Sequence, residues 1–340
     1  MKISVICPSE IAYRRFMPAL MKTGFFEFDG VGYHSKEEII NFNQSNLDEK
    51  VNLSKNKALS FVNDFGGKLY NSYNEVVNES NVDCIYIPLP PMLHFEYAKK
   101  ALLNKKHIII EKPATLSLND MQGLIELASQ NELAVHENYM FIYHSQLSAI
   151  NDIINSGELG NIRLYRIAYG FPFRGENDFR YHKKIGGGAL LDAGGYTIKL
   201  ASYFLGKNCK VDSASVNYLS EFDADIYGQG VLTNNNGLAA QIAFGMDNDY
   251  KCELEVWGSK GTLYTNRILT APVGYEPTLV LRKNGQEEKI KLSDDDSFFN
   301  SLCYFHKCIT DDNLRKNHYD ELLFQAKLFE DFKRISKIEF

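Results

Sequence analysis

The chain has 340 residues, enough for two domains with their own cores, and its 44% hydrophobic and 24% charged content predicts a soluble globular protein. No apolar run reaches transmembrane length, and a net charge of −6 without a basic block disfavours nucleic acid and anionic membrane as partners. The six cysteines (Cys7, Cys84, Cys209, Cys252, Cys303 and Cys308) lack metal-ligand spacing, which predicts free thiols and no metal.

The N-terminus, MKISVICPSE, carries no signal-peptide cleavage pattern and runs straight into a strand, so the expected location is the cytoplasm. Lys2–Ile6 reads as that strand, Cys7-Pro8-Ser9-Glu10 as a tight turn, and Ile11, Ala12, Phe16, Ala19 and Leu20 as one face of a helix. This is the place of a dinucleotide-binding G-x-G-x-x-G/A turn, but its three positions hold Cys7, Ser9 and Ala12, and Pro8 removes a donor. A cofactor docked there relies on the remaining amides at the helix start and on the Ser9 hydroxyl. If Cys7 or Ser9 is forced into a glycine conformation, the strain costs on the order of 1–3 kcal/mol and weakens binding roughly ten- to hundredfold.

Phe26–Tyr33 is a second strand, followed by His34, Ser35 and Lys36 where an acid would bond the ribose 2′-hydroxyl of NAD. A basic residue there suits the 2′-phosphate of NADP, although the polar stretch Asn41–Asn56 reads as an insertion and offers Ser54-Lys55 as a second Ser-Lys pair. Asn56–Phe65 predicts a helix ended by Gly66-Gly67, then a strand at Lys68–Tyr70 and a helix from Ser72. Asp83–Ile87 is a buried strand running into Pro88-Leu89-Pro90-Pro91, with a helix over Leu93–Leu103.

His107–Pro113, HIIIEKP, is a β-branched strand that ends in an acid, a base and a proline. Ligands of open α/β sheets bind beyond the carboxyl ends of the strands, so Lys112 is the candidate cation of a site. A helix over Ser117–Asn131, a sixth strand at Ala134–Glu137 and a helix over Ser145–Ser156 follow. Alternating strands and helices predict a parallel sheet with right-handed crossovers over residues 1–118, and strand-rich sequence predicts a second domain over 119–340.

Gly186–Gly206 opens with three glycines and places Asp192 and Tyr196 four apart on one helical face. Strands are predicted at Val211–Tyr218, Ile226–Thr233, Leu238–Phe244, Lys251–Trp257, Thr262–Thr265, Thr278–Arg282 and Glu288–Leu292, with a hairpin turn at Asn234–Gly237. Together they make a large, mostly antiparallel open sheet, one face covered by helices and the other by a second subunit; closing helices span Asp295–Cys308 and His318–Ile335. The predicted fold class is α/β, a parallel-sheet Rossmann domain followed by an α+β domain.

Across nearly its whole length the chain resembles the Gfo/Idh/MocA oxidoreductases. The segments that carry the resemblance are IAYRRFMPAL (Ile11–Leu20), DCIYIPLPPMLH (Asp83–His94), the Ala101–Leu116 block with Glu111-Lys112-Pro113, ENYMFIYHSQ (Glu137–Gln146) and Gly186–Tyr196. The resemblance implies a homodimer or tetramer through the C-terminal sheet, and a cofactor held by Cys7, Pro8, Ser9, Ile11, Ala12, Ser35, Lys36, Pro88, Leu89, Pro90, His94, Glu111 and Lys112. Lys112 matches the family's lysine near nicotinamide and substrate, Asp192 its acid, and Tyr196 falls where many members carry histidine. A tyrosine there, with Asp178-Phe179-Arg180-Tyr181 before the glycines, resembles the branch that reduces 3-keto groups of nucleotide-linked deoxysugars.

On that basis the expected function is NAD(P)-dependent reduction of a keto group on a sugar or nucleotide-sugar, NADP preferred and NAD the alternative. Lys112, Tyr196 and Asp192 are the expected catalytic residues, and Tyr181, Asp192 and Tyr196 the substrate contacts. Free tyrosine titrates near pH 10, so the charge of Lys112 helps Tyr196 act as donor at neutral pH. Two other readings stand beside this one: a dehydrogenase of a free sugar or polyol, and a regulatory, sugar-sensing member of the fold with a degraded dinucleotide turn.

Overall fold

The computed structural model describes residues 1–39, 46–176 and 178–337; residues 41–45 of the polar stretch Asn41–Asn56 lie outside them. The chain forms two compact units, the first made of Met1–Thr115, Asn119–Asn138 and Phe298–Asp320, the second of Leu116–Leu118, Tyr139–Ser297 and Glu321–Phe340. The single boundary expected near 118 is thus replaced by several crossings. Sheet pairing explains the first return, because the strand ending at Glu137 hydrogen-bonds to the one ending at Ile110.

In the first unit six strands, β1 (Lys2–Val5), β2 (Glu27–Gly32), β3 (Lys68–Tyr70), β4 (Cys84–Ile87), β5 (His107–Ile110) and β6 (Val135–Glu137), pair in the order β3-β2-β1-β4-β5-β6. All neighbours are parallel, as in a doubly wound dinucleotide-binding sheet. Ile108, Ile109 and Ile110 are buried, as a central strand covered on both faces requires.

The helices of this region are α1 (Met17–Leu20), α2 (Leu47–Phe65), α3 (Tyr73–Asn78), α4 (Pro91–Leu103) and α5 (Leu118–Gln130). Local chemistry sets their ends: Ser72 Oγ accepts from Glu75 N at 2.9 Å, Pro91 opens α4, and α2 stops at Gly66 with φ +78°. The sequence pattern starts α2 nine residues too late; Asp48 and Glu49 sit favourably in its first turn, and Ser54 and Lys55 lie inside the helix rather than on a loop.

The second unit is built on β7 (Ile162–Gly170), β8 (Lys210–Tyr218), β9 (Asp225–Thr233), β10 (Ala239–Gly245), β11 (Lys251–Gly258), β12 (Thr262–Asn266), β13 (Thr278–Lys283) and β14 (Gln286–Lys291). Their order is β14-β13-β12-β11-β7-β10-β9-β8. The sequence pattern did not single out β7, yet it lies inside the sheet and makes the one parallel pairing described in it, with β10. The β9–β10 hairpin turns on Asn234, whose Oδ1 accepts from Asn236 N and Leu238 N, and on Gly237 with φ +78°.

Helices α6 (Ser145–Asn155) and α7 (Gly195–Leu205) belong to this unit, and the chain closes with α8 (Ser297–Thr310) and α9 (Asp312–Ser336). Phe332 of α9 packs on Phe244 of β10 and lies over Gly230 of β9, where an added Cβ would stand 2.6 Å from its ring. The opposite face of the sheet carries a depression of about 660 Å³ lined by Arg166, Ala168, Ser213, Gln229, Gln241 and Glu255 among others. Among the described residues no helix is long and apolar enough to cross a membrane.

Candidate active site

In the first unit the strand order reverses between β1 and β4, so the turns leaving these strands flank the crevice where doubly wound sheets bind ligands. The turn after β1 holds together without glycine. Ser9 N donates to Cys7 O at 2.8 Å, Ser9 Oγ accepts from Ala12 N at 3.2 Å, and neither Cys7 nor Ser9 adopts a positive φ. The turn thus carries no left-handed strain at these positions, and the serine caps the orphan amide of Ala12.

The chain then enters a π-helical turn at Ala12–Phe16. Cys7 Sγ accepts from Tyr73 OH at 3.3 Å, and burial pushes its thiol up to about 11, so it is a neutral wall of the turn at physiological pH. Pro8 is buried, Ile11 exposed, and the Ser9 hydroxyl keeps its own proton to donate.

After β2, Ser35 N donates to Glu38 Oε2, a carboxylate that also takes Tyr73 N, Asn74 N and Asn74 Nδ2 at 2.7–2.9 Å and so fastens the loop to the start of α3. Lys36 is exposed and ion-paired with Asp48 at 2.5 Å. These residues fit a dinucleotide: a capped helix start, a serine hydroxyl for phosphate, and a loop carrying Ser35 and Lys36 where a 2′-phosphate would lie.

The loops leaving β4 and β5 are tied together by His94. It is fully buried, with Nε2 2.6 Å from Leu89 O and Nδ1 2.8 Å from Pro113 O, and burial pulls its pKa down to about 4. His94 is therefore packed between Leu89 and Pro113, its neutral ring donating to one of their two carbonyls, where a cofactor contact was expected; Pro88 and Leu89 are buried beside it and Pro90 is half-buried.

The Lys112–Pro113 peptide is cis. Glu111 N extends the β4 pairing to Ile87 O at 3.1 Å, and Glu111 Oε1 accepts from Tyr86 OH at 2.6 Å and Asn138 Nδ2 at 2.7 Å. Burial raises the Glu111 carboxyl, while these two donors and the Lys112 charge pull it back. Asn138, absent from the expected site, stands in the ENYMF segment, whose polar start just past a buried strand was the available signal.

In the second unit the glycine run builds the helix that carries Asp192 and Tyr196. Gly188 has φ +126° and an added Cβ would meet Asp225 Oδ1 at 2.3 Å. Asp225 is buried and its Oδ2 accepts from Leu190 N at 2.7 Å, so a carboxylate from β9 caps the π-helical turn Leu190–Gly194 that leads into α7.

Asp192 is nearly buried and its Oδ2 accepts from Arg180 Nε at 2.7 Å; Arg180 also pairs with Asp178 at 3.1 Å. Tyr196 is 8% exposed, its ring set against Tyr139, Phe141 and Tyr169 at centroid distances of 5.4, 5.6 and 5.2 Å. Tyr181, expected as a substrate contact, is buried instead, its hydroxyl donating to Met246 O at 2.8 Å and accepting from Arg174 N at 3.1 Å. Sequence reasoning missed Arg180, next to Tyr181, and Asp225, which no local motif marks.

Residues 28–139 match the model of an oxidoreductase family with an NAD-binding Rossmann fold, Gfo/Idh/MocA, and residues 147–264 match that family's C-terminal domain. The chain belongs to the Gfo/Idh/MocA oxidoreductases. It is similar to the dTDP-3,4-didehydro-2,6-dideoxy-alpha-D-glucose 3-reductases of Actinomadura kijaniata (30% identical, 96% of this chain and 93% of that protein) and Streptomyces violaceoruber (32%, 85% and 80%). A crystal structure of a 3-ketoreductase from Actinomadura kijaniata with NADP and TDP-benzene superposes with a TM-score of 0.89 at 29% identity, covering 98% of this chain and 97% of that one.

Asp225 gives a pH test. Burial raises its pKa from 3.8 to about 6, so the folded state holds the proton more tightly than the unfolded one. Its stabilising contribution is complete below pH ~4 and is lost as pH rises through about 6, by at most roughly 3 kcal/mol. Urea unfolding of the wild type should therefore fall relative to Asp225→Asn between pH 4 and 7; a constant difference would show that Asp225 is ionised throughout.

Proposed function

We propose that this chain reduces a keto group of a nucleotide-linked deoxysugar with NADPH, NADH being the alternative cofactor. The observation that carries this reading is the likeness to the dTDP-sugar 3-reductases over 96% of the chain, combined with the presence here of Lys112, Asp192 and Tyr196. When bound, a reduced nicotinamide supplies the hydride that turns the ketone carbon into an alkoxide.

Tyr196 donates its phenolic proton to that oxygen, and the Lys112 ammonium stabilises the negative charge as it develops. Asp192, already paired with Arg180 at 2.7 Å, orients a sugar hydroxyl rather than moving a proton. Ser9 and the amides opening the first helix hold the pyrophosphate. Ser35 and Lys36, the latter exchanging Asp48 for the ligand, take the 2′-phosphate. The open face of the large sheet is where a second copy of the chain would dock to give the expected homodimer, a surface that an enzyme of the cytoplasm needs covered.

Calorimetric titration should show micromolar binding of NADPH, tighter than that of NADH. With a TDP-linked 3-keto-deoxysugar, Tyr196→Phe should lower kcat about 10²-fold or more while leaving NADPH affinity nearly unchanged. Lys112→Ala should lower kcat and weaken cofactor binding together. Turnover near wild type in either variant would remove that residue from the mechanism.

A further inference from the structure

Behind Glu111 runs a chain of buried polar side chains that the proposed reaction does not use. Asn138 Nδ2 donates to Glu111 Oε1 at 2.7 Å, Ser301 Oγ lies 3.0 Å from Asn138 Oδ1, His136 Nε2 lies 2.8 Å from Ser301 Oγ, and His136 Nδ1 lies 3.3 Å from His318 Nε2. His136, Asn138, Ser301 and His318 are all buried. They come from β6 and its end, from α8 and from α9, so residues about 165–180 positions apart converge on one carboxylate.

The chemistry of the atoms fixes the direction of the chain. An amide oxygen only accepts, so Ser301 donates its proton to Asn138 Oδ1. The Ser301 oxygen then takes its hydrogen from His136 Nε2, and His136 Nδ1 lies against His318 Nε2. Every hydrogen from His136 onward points toward Glu111, and Tyr86 OH adds a second donor to the same carboxylate oxygen at 2.6 Å. Two donors converging on one oxygen fit a carboxylate. A proton relay does not fit, because the Asn138 amide interrupts it with a group that does not titrate.

We propose that Asn138, Ser301 and His136 are positioning residues whose directed donor chain keeps Glu111 ionised, so that its negative charge stands beside the neighbouring Lys112 and helps to position it. The role given to Lys112 rests on the reduction proposed above, whereas the state of Glu111 does not. The titratable groups acting on Glu111 are Tyr86 from β4 and Lys112 from its own loop. The groups presented from the end of β6 and from α8 are the neutral Asn138 and Ser301, with His136, His318 and the phenol of Tyr304 behind them. Burial opposes the charge on Glu111, so removing part of the chain lets the proton return.

The test is infrared titration of the carboxyl band that Glu111→Gln abolishes, in wild type and in Ser301→Ala, with NADPH bound. Ser301→Ala should raise the Glu111 midpoint by about one pH unit, a tenfold shift in its ionisation, and the acid limb of kcat/KM should move with it. Ser301→Thr, which keeps the hydroxyl, should restore both. His136→Phe, which preserves a ring against Phe305, should shift the midpoint in the same direction and serves where Ser301→Ala does not fold.

An unchanged midpoint in the folded variants overturns the proposal, and a shifted midpoint with an unmoved acid limb overturns the link to Lys112. If the wild type binds NADPH but reduces no nucleotide-linked ketone, the functional reading falls, and the infrared titration still decides the state of Glu111.

Discussion

The constraint on which the first unit depends is a half-buried carboxylate at the end of a buried strand. Glu111 follows a strand whose residues Ile108–Ile110 are buried, and an acid in that position needs donors wherever its oxygens point. Tyr86 from β4 and Asn138 from the end of β6 supply them, so β4, β5 and β6 are joined at their carboxyl ends by side chains as well as by the ladder. The next residue is Lys112, and the loop beyond it is pinned through Pro113 O to His94. A cation placed there is fixed by its neighbours on both sides in sequence.

The second unit solves a similar problem with different parts. Asp192 sits on a helix whose first turns are buried, and Arg180 neutralises it while Asp178 balances Arg180. The helix start lacks a local cap, and Asp225 reaches in from β9 to provide one. Gly188 is required there because a side chain would occupy the place of that carboxylate. Gly188 is thus explained by a distant acid that approaches the backbone, and Gly187 by the carbonyls of Phe179, Arg180 and His182, rather than by flexibility.

The parallel first sheet, thirteen of the fourteen strands among the described residues, the strand end that carries Lys112 and the helical segment that carries Asp192 and Tyr196 were legible because strand periodicity, turn residues and β-branched runs are local signals. The strand β7 was not, since Arg163 and Arg166 fall on opposite faces and blur an alternation that only its two neighbours explain. The support of Glu111 was also illegible: Ser301 and His318 follow it by about 190–207 positions and belong to helices that read as ordinary amphipathic closures. Tyr181 and His94 were recognisable as residues of interest, but sequence does not say whether a polar tip faces a ligand or a carbonyl, and here both face carbonyls.

The altered turn after β1 shows why a missing glycine fingerprint is weak evidence against a dinucleotide. The first glycine of the usual motif serves a tight turn, and Cys7 makes this turn at an ordinary φ. The second lets a phosphate approach the backbone, and Ser9 substitutes a hydroxyl that caps Ala12 N and still has a proton to give. The third allows close helix packing, which Ala12, fully buried, also permits. Each task of the motif thus has a residue in this turn suited to it, and the family assignment rests on the whole chain rather than on three glycines.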